Sequence, residues 1–464
     1  MTAPRRLTTL AVVFLLFFTV SGGAFTTEVL VAEVGPGLAL LLLLLVPLLW
    51  SVPEALLIGE LASMLPEEGG YYRWVRRAFG PAWAFQNAWC TLLYSLVDMA
   101  IYPVLFAQYL AYFAPGLPPW AAWGVKLAVI WGATWLNLRG AVRVGRFSTW
   151  AGCFVLAVFA ATGAAALWSG ARTPGGLHAP WSPFLKPGEG LLAGAGVGLS
   201  IAMWNYFGWD NASTVLGETE DAGRAYPRAL AAAVPMVALG YFIPLLPTLA
   251  AGDWTTWREG GWPDIALATG GRAGPALAAL LAVAGMVSAL GLYNALLLAF
   301  TRVPLALARD GFLPAALART DARGTPVRAV VLSAAAYSVF TLLPFAQLVV
   351  ADALLYALAM FLEFGALIQL RRREPGLRGP FRVPLGTRGV AVLAALPAVV
   401  FLAATACSIL GGEITAAAVV GSLVAAALGP LVYRLARRGA EGRRAAAAQP
   451  RPDGARDRGP LPAM

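Results

Sequence analysis

Apolar stretches long enough to cross a lipid bilayer recur along the whole chain, with short polar segments between them. A spanning helix needs about 20 consecutive apolar residues, and the hydropathy pattern predicts twelve such helices. The pattern therefore predicts an all-α polytopic membrane protein with one transmembrane domain at residues 7–436, a short segment before it at 1–6 and a disordered tail at 437–464. The helices are predicted at residues 7–33, 36–64, 82–113, 120–138, 146–169, 191–217, 227–250, 274–305, 326–344, 347–370, 389–410 and 414–435.

The composition and the placement of charge support this fold class. Hydrophobic residues make up 59% of the chain and charged residues only 12%, whereas soluble proteins average about 25% charged residues. The net charge of +10 would fit a nucleic-acid partner, but the arginines concentrate in alternate connections, as at Arg73, Arg76 and Arg77 after the second helix. Because basic residues concentrate on the cytoplasmic side, we expect a multi-pass protein of the cell (inner) membrane, with both termini in the cytoplasm.

Two of the predicted helices are interrupted. Ser21-Gly22-Gly23 breaks the first, and a polar and aromatic run from Asn205 to Asn211 breaks the sixth. Paired breaks of this kind mark a substrate site at the membrane midplane, because an unwound turn offers N–H groups to an anion and carbonyl groups to a cation. The small residues could instead form a packing face between helices. We favour a site in which Ser21, Gly22 and Gly23 hold a substrate carboxylate.

Ionisable side chains inside spans are costly and are therefore functional candidates. The chain places Glu28, Glu54, Asp98 and Asp210 in such positions. A low dielectric favours the neutral form of a carboxylate, so Asp210, Glu28 and Asp98 are candidates for proton coupling. Three structural alternatives remain open: Asp98 could be held by a neighbouring tyrosine, Glu54 could satisfy backbone groups freed by Pro53, and Glu28 could lie in an external vestibule.

Aromatic and amide side chains complete the predicted site. Tyr102 lies on the same helix face as Asp98 and Tyr94. One of the four aromatic residues around the sixth-helix break, Trp204, Tyr206, Phe207 or Trp209, is expected to close over a bound ammonium group by cation–π contact. Carbonyl groups of the two breaks, the second of which begins at Asn205, are expected to hold this ammonium group together with the Asp210 carboxylate. Glu28 or Asp98 is expected to receive a second positive group. Packing is the alternative for at least two of the aromatic residues around the sixth-helix break. Asn294 in helix eight is a candidate for the wall of the site or for a hydrogen bond between helices.

Four segments resemble motifs of the amino acid–polyamine–organocation permeases, and they occur in the order of that family. The resemblance covers residues 8–435 and implies a leucine-transporter-type fold, in which two inverted repeats of five helices precede two further helices. The segments are Pro66–Pro81, Leu136–Gly140, Gly217–Ala229 and Ala308–Pro314.

Within that family, the first helix is similar to the plant and protist polyamine/L-type amino acid branch, which also carries a glutamate at the position of Glu28. Trp50–Ala55 and Asp98–Phe106 resemble the same branch. The chain departs from the family in two places. Helix eight carries Asn294 and no carboxylate, where the branch has acidic residues, and helix five has no lysine that could replace a coupling ion.

These observations predict a secondary active transporter of amino acids, with cationic amino acids or polyamines as the expected substrates and proton symport as the expected mode. The alternatives are a neutral amino acid permease or an amino acid exchanger. With one histidine and three widely spaced cysteines, no metal and no cofactor besides the coupling proton are expected. We also expect no ATP site, no nucleic-acid partner and no enzymatic activity, and a monomer or homodimer in the bilayer.

Overall fold

The computed structural model describes residues 6–342, 349–410 and 416–448, and these residues form helices without any β-strand. Eight helical segments are long and apolar enough to cross a membrane, and shorter apolar helices occupy Thr9–Val20, Leu191–Trp204 and Val327–Phe340. Together with Pro119–Asn137, they match the twelve predicted positions. The ends of three predicted spans, at residues 343–344, 347–348 and 414–415, lie outside the described residues.

The helices follow one another with short connections. In chain order they are α1 (Thr9–Val20), α2 (Thr27–Val34), α3 (Pro36–Val46), α4 (Val52–Met64), α5 (Gly70–Phe79), α6 (Pro81–Leu110), α7 (Pro119–Asn137), α8 (Ala141–Gly170), α9 (Leu191–Trp204), α10 (Ala222–Ala251), α11 (Trp262–Thr269), α12 (Gly274–Phe300), α13 (Arg302–Arg309), α14 (Val327–Phe340), α15 (Val349–Arg373), α16 (Thr387–Leu410), α17 (Ala416–Ala427) and α18 (Gly429–Ala448). A π-helical turn, Pro47–Ser51, joins α3 to α4, and a 3₁₀ helix, Asn211–Glu218, follows α9.

Both predicted interruptions are present. The first span ends as α1 at Val20 and resumes as α2 at Thr27, and the sixth ends as α9 at Trp204 and resumes as the 3₁₀ helix at Asn211. Non-helical backbone at membrane depth is tolerated where protein surrounds it, and both breaks lie inside the bundle. Large apolar side chains such as Trp150, Leu332 and Leu402 are exposed on the outside of the bundle, as expected for contact with lipid.

Two connections contain helices that the hydropathy pattern did not predict. The segment Pro66–Pro81 forms α5, which is too polar and short to span a bilayer, and the long connection after α10 contains α11. The last described helix, α18, runs to Ala448, so the domain boundary predicted at residue 436 falls inside a helix. The rest of the predicted tail, residues 449–464, lies outside the described residues.

The arginines of alternate connections meet at one end of the bundle, which we call the arginine-rich face. Arg73 and Arg76 contact Asp310, and Arg77 contacts Glu374. Two of the segments that carry the family resemblance, Pro66–Pro81 and Ala308–Pro314, therefore meet at Asp310.

Candidate functional site

The two breaks face one internal cavity with a volume of about 40 Å³. Side chains from the first span, α6, the sixth span, α12 and α15 surround it, so that both halves of the chain contribute to the same small space. The lining residues are Thr19, Val20, Ser21, Tyr94, Asp98, Tyr102, Trp204, Asn205, Phe207, Gly208, Asn211, Leu292, Asp352 and Tyr356.

Glycines allow the first break to pack tightly. Gly22 and Gly23 have φ angles of 66° and 122°, in a region that side-chain-bearing residues seldom adopt. A Cβ atom on Gly22 would lie 2.5 Å from the Ser288 hydroxyl oxygen. That hydroxyl donates a hydrogen bond of 2.6 Å to the Gly22 carbonyl oxygen, which fixes the break against α12.

The backbone N–H groups of the first break are bonded within the chain. The N–H groups of Ser21 and Gly22 both donate to the Phe17 carbonyl oxygen at 2.9 Å, and the Gly23 N–H donates to the Ser21 side-chain oxygen at 3.1 Å. Of the three residues, only Ser21 lines the cavity. The carboxylate site predicted at Ser21-Gly22-Gly23 is therefore not formed in this conformation, because its donors already have acceptors.

The second break contacts the first directly. The Thr26 hydroxyl donates to the Asn205 side-chain oxygen at 2.8 Å. Gly208, with a φ of 103°, lies so close to the first span that an added Cβ atom would be 2.3 Å from the Thr19 carbonyl oxygen. Tyr241 donates to the Asn205 carbonyl oxygen at 2.5 Å, so that carbonyl is bonded within the chain, although the Asn205 side chain lines the cavity.

Two aspartates line the cavity from neighbouring helices. Asp98 of α6 accepts a hydrogen bond of 2.6 Å from the Tyr102 hydroxyl, which agrees with the predicted common face. Asp352 of α15 lies on the same cavity, and its Oδ1 atom has no hydrogen-bond partner among the described residues. The sequence argument did not select Asp352, although it lies inside a predicted span, where the rule that selected the other carboxylates applies equally.

A second group of acids lies behind the cavity wall around Tyr356. The Tyr356 hydroxyl oxygen is 2.9 Å from Glu54 Oε1 and 2.9 Å from Asp210 Oδ1, and it accepts a hydrogen bond of 2.8 Å from the Gly208 N–H. Glu363, one further buried acid of α15, accepts a hydrogen bond of 3.2 Å from the Asn87 side chain. Tyr356 thus connects the cavity, which it lines, with Asp210, which does not line it.

Aromatic rings form much of the cavity wall. The rings of Phe207 and Tyr356 stack at 4.9 Å, and the ring of Tyr94 meets that of Tyr356 edge-on at 5.6 Å. Trp204 lines the cavity, as does Phe207. Tyr206 and Trp209 are fully buried away from it, so two of the four aromatic residues at the break serve packing.

Three of the predicted site residues, Tyr206 among them, form hydrogen bonds away from the cavity. The Glu28 carboxylate accepts a hydrogen bond of 3.1 Å from the Gly260 N–H in the connection before α11, and Tyr206 donates to the Leu43 carbonyl oxygen at 2.9 Å. Asn294 accepts a hydrogen bond of 3.0 Å from the Asn137 side chain. Of the two roles that the sequence left open for Asn294, the structure shows the hydrogen bond between helices, because Asn294 joins α12 to α7 and does not line the cavity.

Comparison with known proteins agrees with this architecture. The model of the amino acid permease family matches residues 6–424. A probable polyamine transporter of Arabidopsis thaliana is 33% identical over 94% of this chain and 85% of its own length. A polyamine transporter of Oryza sativa subsp. japonica is 35% identical over 85% of this chain and 72% of its own length, and a further polyamine transporter of Arabidopsis thaliana is 33% identical over 86% and 80%.

The chain belongs to the amino acid permease family. It is a multi-pass membrane protein and a secondary transporter, as the sequence predicted. The family also accounts for the paired breaks, because permeases of this fold bind substrate between interrupted helices.

The permease is closed on the arginine-rich side of the cavity. Asp310 accepts hydrogen bonds from the Tyr72 hydroxyl at 2.5 Å, from Arg73 at 3.1 Å and from Arg76 at 2.7 Å. Burial, followed by the hydrogen bond to Asp310, raises the pKa of Tyr72 above its ordinary value, so this hydroxyl remains a donor. The fully buried Arg302 contacts Glu218 at 2.8 Å.

The opposite side of the permease is closed by the connection between α10 and α12. The Gly260 N–H donates to Glu28, and the Trp262 indole N–H donates to the Ala24 carbonyl oxygen at 2.9 Å. The Phe25 ring fills the space beneath, 5.0 Å from the ring of Tyr109 and 4.8 Å from that of Phe159. Contacts between spans and connections therefore cover the cavity on both sides.

Proposed function

We propose that this permease transports polyamines, which are chains of methylene groups that carry two or more protonated amines. The observation that carries the proposal is the pair of aspartates, Asp98 and Asp352, on one cavity that no lysine or arginine of the described residues lines. Two carboxylates facing one small space repel each other, and a cation between them removes that cost. Each hydrogen bond from an ammonium to a carboxylate contributes about 1.5–3 kcal/mol.

The same cavity is unfavourable for the carboxylate of an amino acid. Such a group would meet Asp98 and Asp352 without a basic side chain beside it, and the N–H groups of Ser21, Gly22 and Gly23 already donate within the chain. These contacts support polyamines over cationic amino acids, the two substrate classes that the sequence favoured. The names of the plant relatives support the same substrate class.

The aromatic wall suits the rest of a polyamine. Its methylene groups can pack against the faces of Phe207 and Tyr356, while an ammonium group gains cation–π attraction from Trp204 or Tyr94. A volume of about 40 Å³ holds only about three water molecules, so the cavity must widen to admit a polyamine. Widening of the two breaks toward one side at a time is the alternating access expected of this fold.

We propose that the proton is the ion whose movement is coupled to transport. A tyrosine has one hydroxyl proton, yet Tyr356 lies 2.9 Å from both Glu54 and Asp210, so it can donate to only one of them. The other short contact requires a proton on the second carboxyl group, which then donates to the Tyr356 oxygen. The group around Tyr356 would therefore hold a proton next to the cavity, in position to respond to a bound cation.

The proposal includes an orientation. We place the arginine-rich face in the cytoplasm of a cell membrane, because basic residues concentrate on that side. The polyamine would enter from the face that carries α11, and opening of the contacts at Asp310 and Arg302 would release it into the cell.

Binding to purified permease tests the substrate. Putrescine is expected to raise the Tm of the wild type by mass action, and Asp352→Asn is expected to weaken the apparent Kd about 10- to 150-fold, the equivalent of one charge-assisted contact. The same measurement with lysine tests a cationic amino acid, and with leucine a neutral one. Asp264→Asn is the matched control, since Asp264 is exposed and, among the described residues, pairs with Arg258 alone.

Two outcomes contradict the proposal. If leucine stabilises the protein and putrescine does not, the substrate is a neutral amino acid. If putrescine stabilises Asp352→Asn as strongly as the wild type, the aspartate pair does not form the site.

A further inference from the structure

A second cavity, with a volume of about 510 Å³, lies on the arginine-rich face, apart from the transport site. It is bounded by the start of the chain before α1, the connection between α7 and α8, the end of the 3₁₀ helix after the second break, and the connection between α13 and α14. The lining residues include the arginines Arg6, Arg139, Arg143, Arg146, Arg309 and Arg323 and the glutamates Glu68 and Glu218.

The charges around this cavity do not balance. Glu68 forms an ion pair with Arg309, and Glu218 forms one with Arg302, which does not line the cavity. Within the described part of the chain, the other five arginines of the cavity have no carboxylate partner. Basic residues are expected on a cytoplasmic face, but that preference does not explain why five unpaired guanidinium groups surround one concave space.

The geometry favours an anion with several oxygen atoms. Arginine presents a planar fork of donors that matches phosphate oxygens in pairs, and Arg139, Arg143 and Arg146 border one side of the cavity. Gly140 precedes the first residue of α8 and has no side chain to cap the helix, so the N-terminus of α8 adds its partial positive charge to the cavity. A volume of this size is typical of a small-molecule site.

The surroundings favour a ligand from the membrane. The Arg139 guanidinium lies 3.4 Å from the centre of the Trp135 ring, and Trp135 and Trp150 are 56% and 59% exposed on the outside of the bundle. Tryptophan side chains exposed near the ends of membrane-spanning helices are typical of the lipid–water interface. The cavity therefore borders the headgroup region, where phosphate diesters of anionic lipids are abundant.

We propose that this cavity binds a phosphate group, supplied by the headgroup of an anionic phospholipid. A ligand held here would contact four segments that surround the closed side of the transport cavity. Since binding favours the conformation in which all four come together, occupancy stabilises the closed arrangement of the arginine-rich face.

Thermal unfolding of the full-length protein tests the site. Phosphatidylglycerol is added to detergent-solubilised protein as the anionic lipid, and phosphatidylcholine serves as the control lipid without net charge. Inorganic phosphate and pyrophosphate are tested separately as soluble anions, at constant ionic strength. Phosphatidylglycerol is expected to raise the Tm of the wild type. The triple variant Arg139→Gln/Arg143→Gln/Arg146→Gln is expected to need at least about tenfold more of it for the same rise.

The control variant Arg228→Gln/Arg378→Gln/Arg388→Gln removes the same charge from exposed positions on the same face and is expected to respond like the wild type. If both triple variants lose the response equally, the effect is one of general surface charge and the proposal is wrong. A response of the wild type to phosphate or pyrophosphate alone, absent in the first triple variant, keeps the phosphate site but assigns it to a soluble ligand. The absence of any response in the wild type overturns the proposal.

Discussion

Tyr356 has one hydroxyl proton and three polar neighbours. It lies 2.9 Å from Glu54 and Asp210 and accepts from the Gly208 N–H. Its ring also stacks on Phe207 in the cavity wall, so a change that removes only the hydroxyl group separates the proposed proton function from the substrate contact.

We predict that Tyr356→Phe retains putrescine binding but loses the stimulation of uptake by an inward proton gradient. The loss of the hydroxyl group also leaves the Gly208 N–H without its acceptor, which costs about 1–3 kcal/mol of stability. The measurements are the binding-induced Tm shift and uptake into proteoliposomes with and without the gradient.

Tyr293→Phe is the control for this prediction. The Tyr293 hydroxyl is buried and has no hydrogen-bond partner among the described residues. Its removal should therefore change neither the Tm shift on putrescine binding nor the stimulation of uptake by the proton gradient. Full gradient stimulation in Tyr356→Phe would show that the proton is carried elsewhere.

Single residues also mark the limit of what the sequence predicted about the site. The spacing of Tyr94, Asp98 and Tyr102 correctly placed all three on one face, because helical periodicity fixes relative positions within a helix. Periodicity does not determine which face points toward the centre of the bundle. The sequence therefore left open whether Asn294 lines the cavity or forms a hydrogen bond between helices, and the structure shows the latter, with Asn137.

At the scale of helices, the buried ion pair between Glu60 and Arg371 joins α4 to α15. Arg371 contacts both carboxylate oxygens of Glu60, at 2.7 and 2.5 Å, and both residues are almost fully buried. Glu60 also accepts a hydrogen bond of 2.9 Å from the Val383 N–H. The pair therefore connects two spans to the segment that leads into α16.

We predict that Arg371→Met destabilises the permease by about 3–5 kcal/mol, because it leaves a carboxylate buried without a partner. Replacing both residues, as Glu60→Leu/Arg371→Met, should recover much of this loss. Thermal unfolding of the purified protein measures both effects. Asp264→Asn removes an exposed ion pair and should cost less than about 1 kcal/mol of stability. If Arg371→Met also cost less than about 1 kcal/mol, the stabilising role of the buried pair between Glu60 and Arg371 would be contradicted.

The helix breaks were predictable because glycines and polar residues interrupt otherwise continuous apolar stretches, and the structure confirms both. The hydrogen-bond partners of the backbone N–H groups in the breaks were not predictable. The N–H groups of the first break were expected to bind a carboxylate, but the Phe17 carbonyl oxygen and the Ser21 side chain accept from them. Such contacts depend on three-dimensional closeness within the turn, which residue types alone do not define.

At the scale of the molecule, the twelve spans follow from hydropathy alone, whereas the acidic character of the cavity required the fold. Asp352 and Glu363 lie eleven residues apart in one predicted span, which places them on the same helical stripe. Only the packing of α15 against α6 shows that Asp352 joins Asp98. The second acid of the cavity, which carries the substrate proposal, is therefore a result of the structure.

The proposed orientation of the whole molecule predicts which positions a membrane-impermeant maleimide can reach. In a variant with Cys90, Cys153 and Cys407 replaced by serine, His178→Cys should be labelled in intact cells. Arg323→Cys should be labelled only after the membrane is permeabilised, since it lies on the arginine-rich face. The reverse pattern would place that face outside the cell.

The most direct test of the account is accumulation of putrescine in proteoliposomes under an inward proton gradient. The wild type is expected to concentrate putrescine inside, and collapse of the gradient should return it to equilibrium. Asp98→Asn/Asp352→Asn should abolish accumulation, while Asp264→Asn should preserve it. Accumulation that persists in the double variant, or putrescine uptake that never exceeds equilibrium in the wild type, would contradict proton-driven polyamine transport through this cavity.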